Sequence, residues 1–102
     1  MPLHPDLAAL AEAMRRLAAH LAAHDEPHWA DAVGRSADWV ADSDRAGLDR
    51  FLALFGGMGS LDDLVLHRDG RPLTGENGEL ERLRGEAWEL ADRLRYEDRC
   101  AV

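Results

Sequence analysis

His20, His24 and His28 recur at intervals of four residues. On one helix that interval sets His20 and His24 on adjacent turns of the same face, the spacing with which a helical HxxxH pair chelates a transition metal. Asp25, Glu26 or His28 would then be the third ligand. Pro27 weighs against a longer row, because it belongs to the first turn of a new helix and takes His28 out of line. Leu21 follows His20 where a zinc hydrolase of the HExxH type would carry its glutamate base. The pair therefore reads as half-buried histidines at the edge of an apolar stripe. His20 and His24 are kept as the metal candidates, and no cofactor is expected.

Gly56-Gly57-Met58-Gly59-Ser60 has the composition of a phosphate-cradling loop, in which backbone N–H groups ahead of a helix bind an anion. No lysine follows, as a Walker-type loop requires, and Asp62 and Asp63 would repel a phosphate. A helix stop at the glycines and a new cap at Ser60 account for the same residues. His67-Arg68-Asp69 spells the kinase catalytic triplet in a chain far too short to be a kinase. Cys100 is the sole cysteine, so neither an internal disulfide nor a cysteine-rich zinc site can form. No nucleophile has a base at a defensible spacing, and an enzyme is not expected.

Binding features remain. Asp31, Asp38 and Asp42 follow one another at helical spacing on a single polar face, with Arg35 among them and Trp39 at the edge of the opposite apolar stripe. Between Asp25 and Asp49 stand seven acids against Arg35 and Arg45. Such a face meets a basic partner with fast, salt-sensitive association, or simply keeps the chain soluble. Trp39 and Trp88 both lie off the centre of their stripes, where a large aromatic is either a lid on the core or an interface anchor. Arg84 and Arg95 are placed to cover the ring of Trp88.

These residues sit on elements that the apolar pattern predicts. Pro5 suits the first turn of a helix whose stripe is Leu7, Leu10, Met14, Leu17 and Leu21. Asp25-Glu26-Pro27 ends it and begins a second, buried through Trp29, Val33, Ser36 and Val40. Ser43 caps a third, with Leu48, Phe51, Leu52 and Phe55 inward, stopped by Gly56-Gly57. Ser60 caps a short turn through Leu61–Leu64. Leu64 to Leu73 reads as a small hairpin or an ordered loop about Asp69-Gly70, with Pro72 confined to an edge. Thr74 to Gly78 reads as a polar linker. The last helix has the stripe Leu80, Leu83, Ala87, Leu90 and Leu94. The fold expected is mainly all-α: one compact four-helix antiparallel domain over residues 1–102, with the hairpin or loop before the last helix.

At 102 residues such a domain buries a modest core. All 12 basic residues are arginine, against 20 acids, for a net charge of −8. That balance, with the abundant alanine, points to a bacterial genome of high GC content. It also disfavours nucleic acid and anionic membranes as partners. No secretion signal or membrane-length apolar run is recognisable, so a cytoplasmic location is expected.

The stretch Phe55-Gly56-Gly57-Met58-Gly59-Ser60-Leu61-Asp62-Asp63-Leu64-Val65-Leu66, followed by a turn and a Glu/Leu-rich helix, resembles a family of small bacterial proteins of unknown function. Members share GGMGS, an aromatic residue or leucine, Asn or Asp, then Asp-Leu. The resemblance covers roughly Leu48 to Leu94, and reaches the first half through the tryptophan-bearing helix around Trp29. It implies a compact cytosolic bacterial protein, an accessory or immunity-type binder. Asp62 stands where members often have Asn, which departs from any role needing a neutral amide.

The leading expectation is a non-enzymatic protein-binding module, immunity- or antitoxin-like, engaging a basic surface of another protein through Asp31, Asp38, Asp42 and Trp39. Gly56, Gly57, Met58, Gly59, Ser60 and Asp63 form its motif loop. The alternatives are a small-ligand or metal binder using that loop or the His20/His24 pair, and a homodimer joined through Trp88 and Tyr96 of the last helix.

Overall fold

The computed structural model describes residues 5–42, 45–56 and 59–100. Its elements in chain order are α1 (Pro5–Ala23), α2 (Pro27–Ala41), α3 (Arg45–Ala53), a single 3-10 turn (Leu61–Asp63), β1 (His67–Arg68), β2 (Arg71–Pro72) and α4 (Thr74–Cys100). The mainly helical architecture follows the three-four spacing of the leucines. Among the described helices none is long and apolar enough to cross a membrane.

The chain turns after α1 through a Schellman closure. Asp25 adopts a left-handed φ of 63°, the Glu26 N–H reaches back to the Leu21 carbonyl at 2.9 Å, and the Asp25 N–H reaches the Ala22 carbonyl at 3.4 Å. Pro27 then opens α2 without forfeiting a donor. α1 is the central helix and packs on both α2 and α4, while α2 also packs on α3. Leu10, Met14, Leu17 and Leu21 of α1 are fully buried, each contributing about 1.5–3 kcal/mol of apolar burial. Val33, Ala37 and Val40 meet them from α2, Leu48, Phe51 and Leu52 from α3, and Leu80, Leu83, Ala87 and Ala91 from α4. Ser36 is buried in this company because its hydroxyl donates to the Ala32 carbonyl one turn back, at 3.0 Å.

The α2–α3 crossing is set by Gly47. A Cβ built there would lie 2.7 Å from Trp39 Cβ, 2.7 Å from the Val40 nitrogen and 2.8 Å from the Ser36 carbonyl oxygen. Only a residue without a side chain lets α3 approach α2 so closely.

β1 and β2 form the hairpin, His67 opposite Pro72 and Arg68 opposite Arg71. Its turn has Asp69 and Gly70 at φ 53° and 77°, the left-handed pair of a type I′ turn. Both strands are exposed. The base of the hairpin is held instead by the first turn of α4. The Asn77 side chain accepts from the Leu66 N–H at 2.6 Å and donates to the Leu66 carbonyl at 3.0 Å, as a neighbouring strand would. Thr74 to Gly78 is therefore not a linker: α4 starts at Thr74, and its first turn docks the hairpin. Ser43, expected as the cap of α3, lies outside the described residues, as do Gly57 and Met58.

Candidate functional site

The polar face of α2 presents Asp31, Asp38 and Asp42, all exposed. Two of these acids have arginines. Asp31 Oδ2 lies 3.0 Å from Arg35 Nη2 one turn on, and Asp38 Oδ1 lies 3.5 Å from Arg15 Nη2 of α1. The side chains of both pairs are more than half exposed, so the pairing is solvent-screened, worth at most about 1 kcal/mol, and easily exchanged. Asp42 occupies the C-cap, its backbone N–H bonded to the Asp38 and Trp39 carbonyls at 3.1 Å each.

The placement runs against the helix's own field. α2 has no acid in its first turn and no base in its last, while Asp38 and Asp42 stand at the end where the unsatisfied carbonyls already concentrate negative potential. That placement is unfavourable to the isolated helix and leaves two exposed acids at one corner. Asp49 of α3 is also exposed; Asp44 lies outside the described residues.

Trp39 borders that corner. It is half-buried, with the Arg50 guanidinium of α3 stacked 4.3 Å from its ring centroid. The close α2–α3 contact at Gly47 brings the two together. Beside them runs an open groove of about 380 Å³ between the helices, bordered by Asp31, Arg35, Trp39, Arg50 and Leu54. Arginine cover was expected on Trp88 from Arg84 and Arg95, but those two are engaged elsewhere. Arg95 Nη2 lies 2.6 Å from Asp92 Oδ1. Arg84 turns onto the 3-10 turn, its Nη1 donating to the carbonyls of Leu61 at 3.1 Å and Leu64 at 3.4 Å, with its Nε 3.8 Å from Asp62 Oδ1.

The described residues on either side of Gly57 and Met58 are tied to one another. Gly56 and Gly59 take φ of 136° and 77°, the Leu61 N–H returns to the Leu54 carbonyl at 2.9 Å, and the Gly59 N–H is accepted by Asp63 Oδ2 at 3.1 Å. Ser60 stands at the cap position of the 3-10 turn, yet its hydroxyl makes no capping bond and is buried without a partner. The side-chain acceptor is Asp63, which reaches back over the turn. Two N–H groups that an anion would need, those of Gly59 and Leu61, are thus occupied by the protein. Asp63 ties Gly59 to the 3-10 turn, and Arg84 ties that turn to α4.

His20 and His24 do come together, their ring centroids 4.6 Å apart and edge-on. His20 Nε2 hydrogen-bonds the Glu76 carbonyl at 2.9 Å, joining α1 to the first turn of α4; His24 Nδ1 is buried with no partner. His28 has moved onto α2 beside Trp29. Among the described residues no three His, Cys, Asp or Glu side chains converge as a metal would require.

A family model for a domain of unknown function, DUF6966, matches residues 22–74, just over half of the chain. The chain belongs to that family. The DUF6966 segment runs from the last turn of α1 through α2, α3, the glycine loop and the hairpin to the first residue of α4. It begins well before Leu48, where the resemblance read from the glycine stretch begins, and stops at the start of the closing helix. The acidic corner, the Trp39 groove and the glycine loop all lie inside it; Arg84, Trp88 and Tyr96 lie outside. No curated protein and no solved structure matches the chain.

Sequence reasoning passed over Gly47, Arg50, Asn77 and the inward turn of Arg84. A glycine and an arginine within the predicted α3 were the available signals for the first two. Nothing local marks the others.

Proposed function

We propose that this domain is a non-enzymatic protein-binding module of a bacterial cytoplasm, immunity- or antitoxin-like, which docks on a basic surface of another protein. Asp31, Asp38 and Asp42 supply the charge and Trp39 the apolar anchor. The observation that carries this reading is the pair of acids at the C-terminal end of α2, where they oppose the helix dipole and the helix's own last turn holds no base. A cationic partner would relieve that repulsion on binding. Arg15 and Arg35, holding Asp38 and Asp31 loosely in solvent, are readily displaced by the partner's own cations. The groove beside Trp39 offers apolar contact next to the charge, the combination of anchor and polar rim that protein interfaces use. The net charge of −8 speaks against nucleic acid and anionic lipid as the other party.

The test starts with affinity capture from the source cells and identification of a partner with a basic face. Replacing Asp31, Asp38 and Asp42 together with Asn should then weaken binding by ~10-fold or more and flatten its salt dependence. The triple variant should fold as well as the parent or better, since like charge is removed from the helix end. Unchanged affinity and unchanged salt dependence would refute the acidic face as the docking surface.

A further inference from the structure

Trp39 stands between two surfaces of different charge. On its α1 side Asp38 leans to Arg15, and Asp42 ends the helix. On its α3 side lies the groove of about 380 Å³, running from the close contact at Gly47 toward the start of α2 and the end of α3. Its apolar lining is Ala32, Trp39, Ala53 and Leu54. The charges on its rim are Asp31, Arg35 and Arg50, with His28 at the far end. One carboxylate against two guanidiniums leaves that rim with one positive charge in excess. Asp31 is engaged by Arg35 at 3.0 Å. Arg50 is stacked on Trp39, 4.3 Å from the ring centroid, and no described carboxylate lies within ion-pair distance of it. Asp49, its neighbour in α3, is exposed and does not line the groove. Stacking occupies the face of a guanidinium, whereas its N–H donors radiate in the plane and stay available.

We propose that the groove takes an acidic residue of a partner protein together with the apolar residue beside it. The apolar side chain fills the cleft against Trp39 and Leu54, and the carboxylate accepts from the in-plane N–H groups of Arg50. The carboxylate belongs to the same partner whose cations meet Asp38 and Asp42, so this assignment rests on the docking face proposed above. A basic side chain does not suit the cleft, because Arg35 already neutralises Asp31 and Arg50 repels a cation. A partner carrying a cation, an apolar residue and an acid in that order docks in one register, since reversal sets like charges together.

The probes are two capped dipeptides, acetyl-Phe-Glu-methylamide and its neutral isostere acetyl-Phe-Gln-methylamide, titrated at millimolar concentration into the isotopically labelled full chain. In NMR spectra the Trp39 indole and Arg50 Nε–H signals should move. The glutamate peptide should bind about fivefold more tightly, the worth of one solvent-exposed charge pair. Arg50 is exposed, so its variants stay folded: Arg50→Gln should abolish the preference and Arg50→Lys should keep most of it. Asp31→Asn frees Arg35 and should widen the preference. The triple Asn variant of Asp31, Asp38 and Asp42 should therefore bind the glutamate peptide at least as well as the parent while losing the basic partner, so the two readings fail separately. Equal affinity for the two peptides, signals of Trp39 that stay in place, or a preference that survives Arg50→Gln overturns the proposal.

Discussion

Gly47→Ala is the sharpest test of the geometry that builds the Trp39 groove. The added methyl would sit 2.7 to 2.8 Å from Trp39 Cβ, the Val40 nitrogen and the Ser36 carbonyl oxygen, against 3.4 Å or more for ordinary contact. Two of those three neighbours are helix backbone and cannot swing aside. Helix α3 must therefore withdraw by about 0.7 Å, a gap that forfeits a quarter to a half of the dispersion attraction across the contact. Leu48, Phe51 and Leu52 face the core from that helix, and overpacking of this kind costs typically about 1–3 kcal/mol. Alanine returns roughly 1 kcal/mol through its higher helix propensity, so the net effect should be a loss of about 1–2 kcal/mol, a large part of the stability of a small domain. Gly85→Ala is the internal control. It is the same substitution in a helix, with open space around it, and should gain about 0.5–1 kcal/mol. Urea unfolding followed by circular dichroism measures both. Tryptophan emission reports whether Arg50 leaves the Trp39 ring as α3 shifts. If Gly47→Ala is as stable as the parent and the emission is unmoved, α2 and α3 do not touch as described, and the groove beside Trp39 goes with them.

Two further outcomes can be read from ion pairs of opposite character. Arg84→Met keeps the apolar stem but leaves the Leu61 and Leu64 carbonyls without their donor. It should cost about 1.5–3 kcal/mol, the range for losing a charged hydrogen bond, and hydrogen exchange across Leu61–Leu64 should quicken; unchanged exchange there would show that Arg84 does not hold the turn. Glu79 is half-exposed, and the hydrogen bond from Arg82 holds its carboxyl below the ordinary value of 4.5, with the Arg82 charge adding to the effect. A lowered acid adds stability above its unfolded pKa and loses it as pH falls through the folded one. In an NMR titration Glu79 should therefore titrate below an ordinary glutamate and return toward it in Arg82→Gln; equal midpoints in the two proteins would dismiss the pair.

Most of the architecture could be read from spacing because helices record their buried face locally. The leucines of α1 and α4 recur with the helical period, Pro5 and Pro27 mark first turns, and Asp69-Gly70 names its own turn type, since only residues tolerant of positive φ close a two-residue hairpin. Errors arose where a residue's partner is distant in sequence. Thr74-Gly75-Glu76-Asn77-Gly78 has the composition of a linker, and glycine at two of five positions disfavours helix. It is helical because Asn77 binds both backbone groups of Leu66 and the Glu76 carbonyl meets His20. Tertiary bonds outweighed propensity. Ser60 has the right type for a cap, but its hydroxyl makes no capping bond, and the Asp63 N–H that it would accept from goes to the Ser60 backbone carbonyl instead.

The same distinction separates the candidate surfaces. Arg82 and Arg84 are two residues apart with identical side chains, yet the first makes exposed pairs along its own helix with Glu79 and Glu86, while the second lies 23 residues from the carbonyl it holds. Periodicity placed Arg84 on the shoulder of the core stripe; only the folded loop supplies its acceptors. The acids of α2 belong to the first kind, since their position on one face and at the wrong end of the dipole follows from sequence alone. Packing adds what spacing cannot: Arg15 comes from another helix to Asp38, and Gly47 draws Arg50 onto Trp39. A charged row becomes a directed surface through such neighbours. The acids of α2 lie beside an aromatic ring held in place by a close helix crossing, and that conjunction distinguishes this face from the other acidic helix surfaces of the chain.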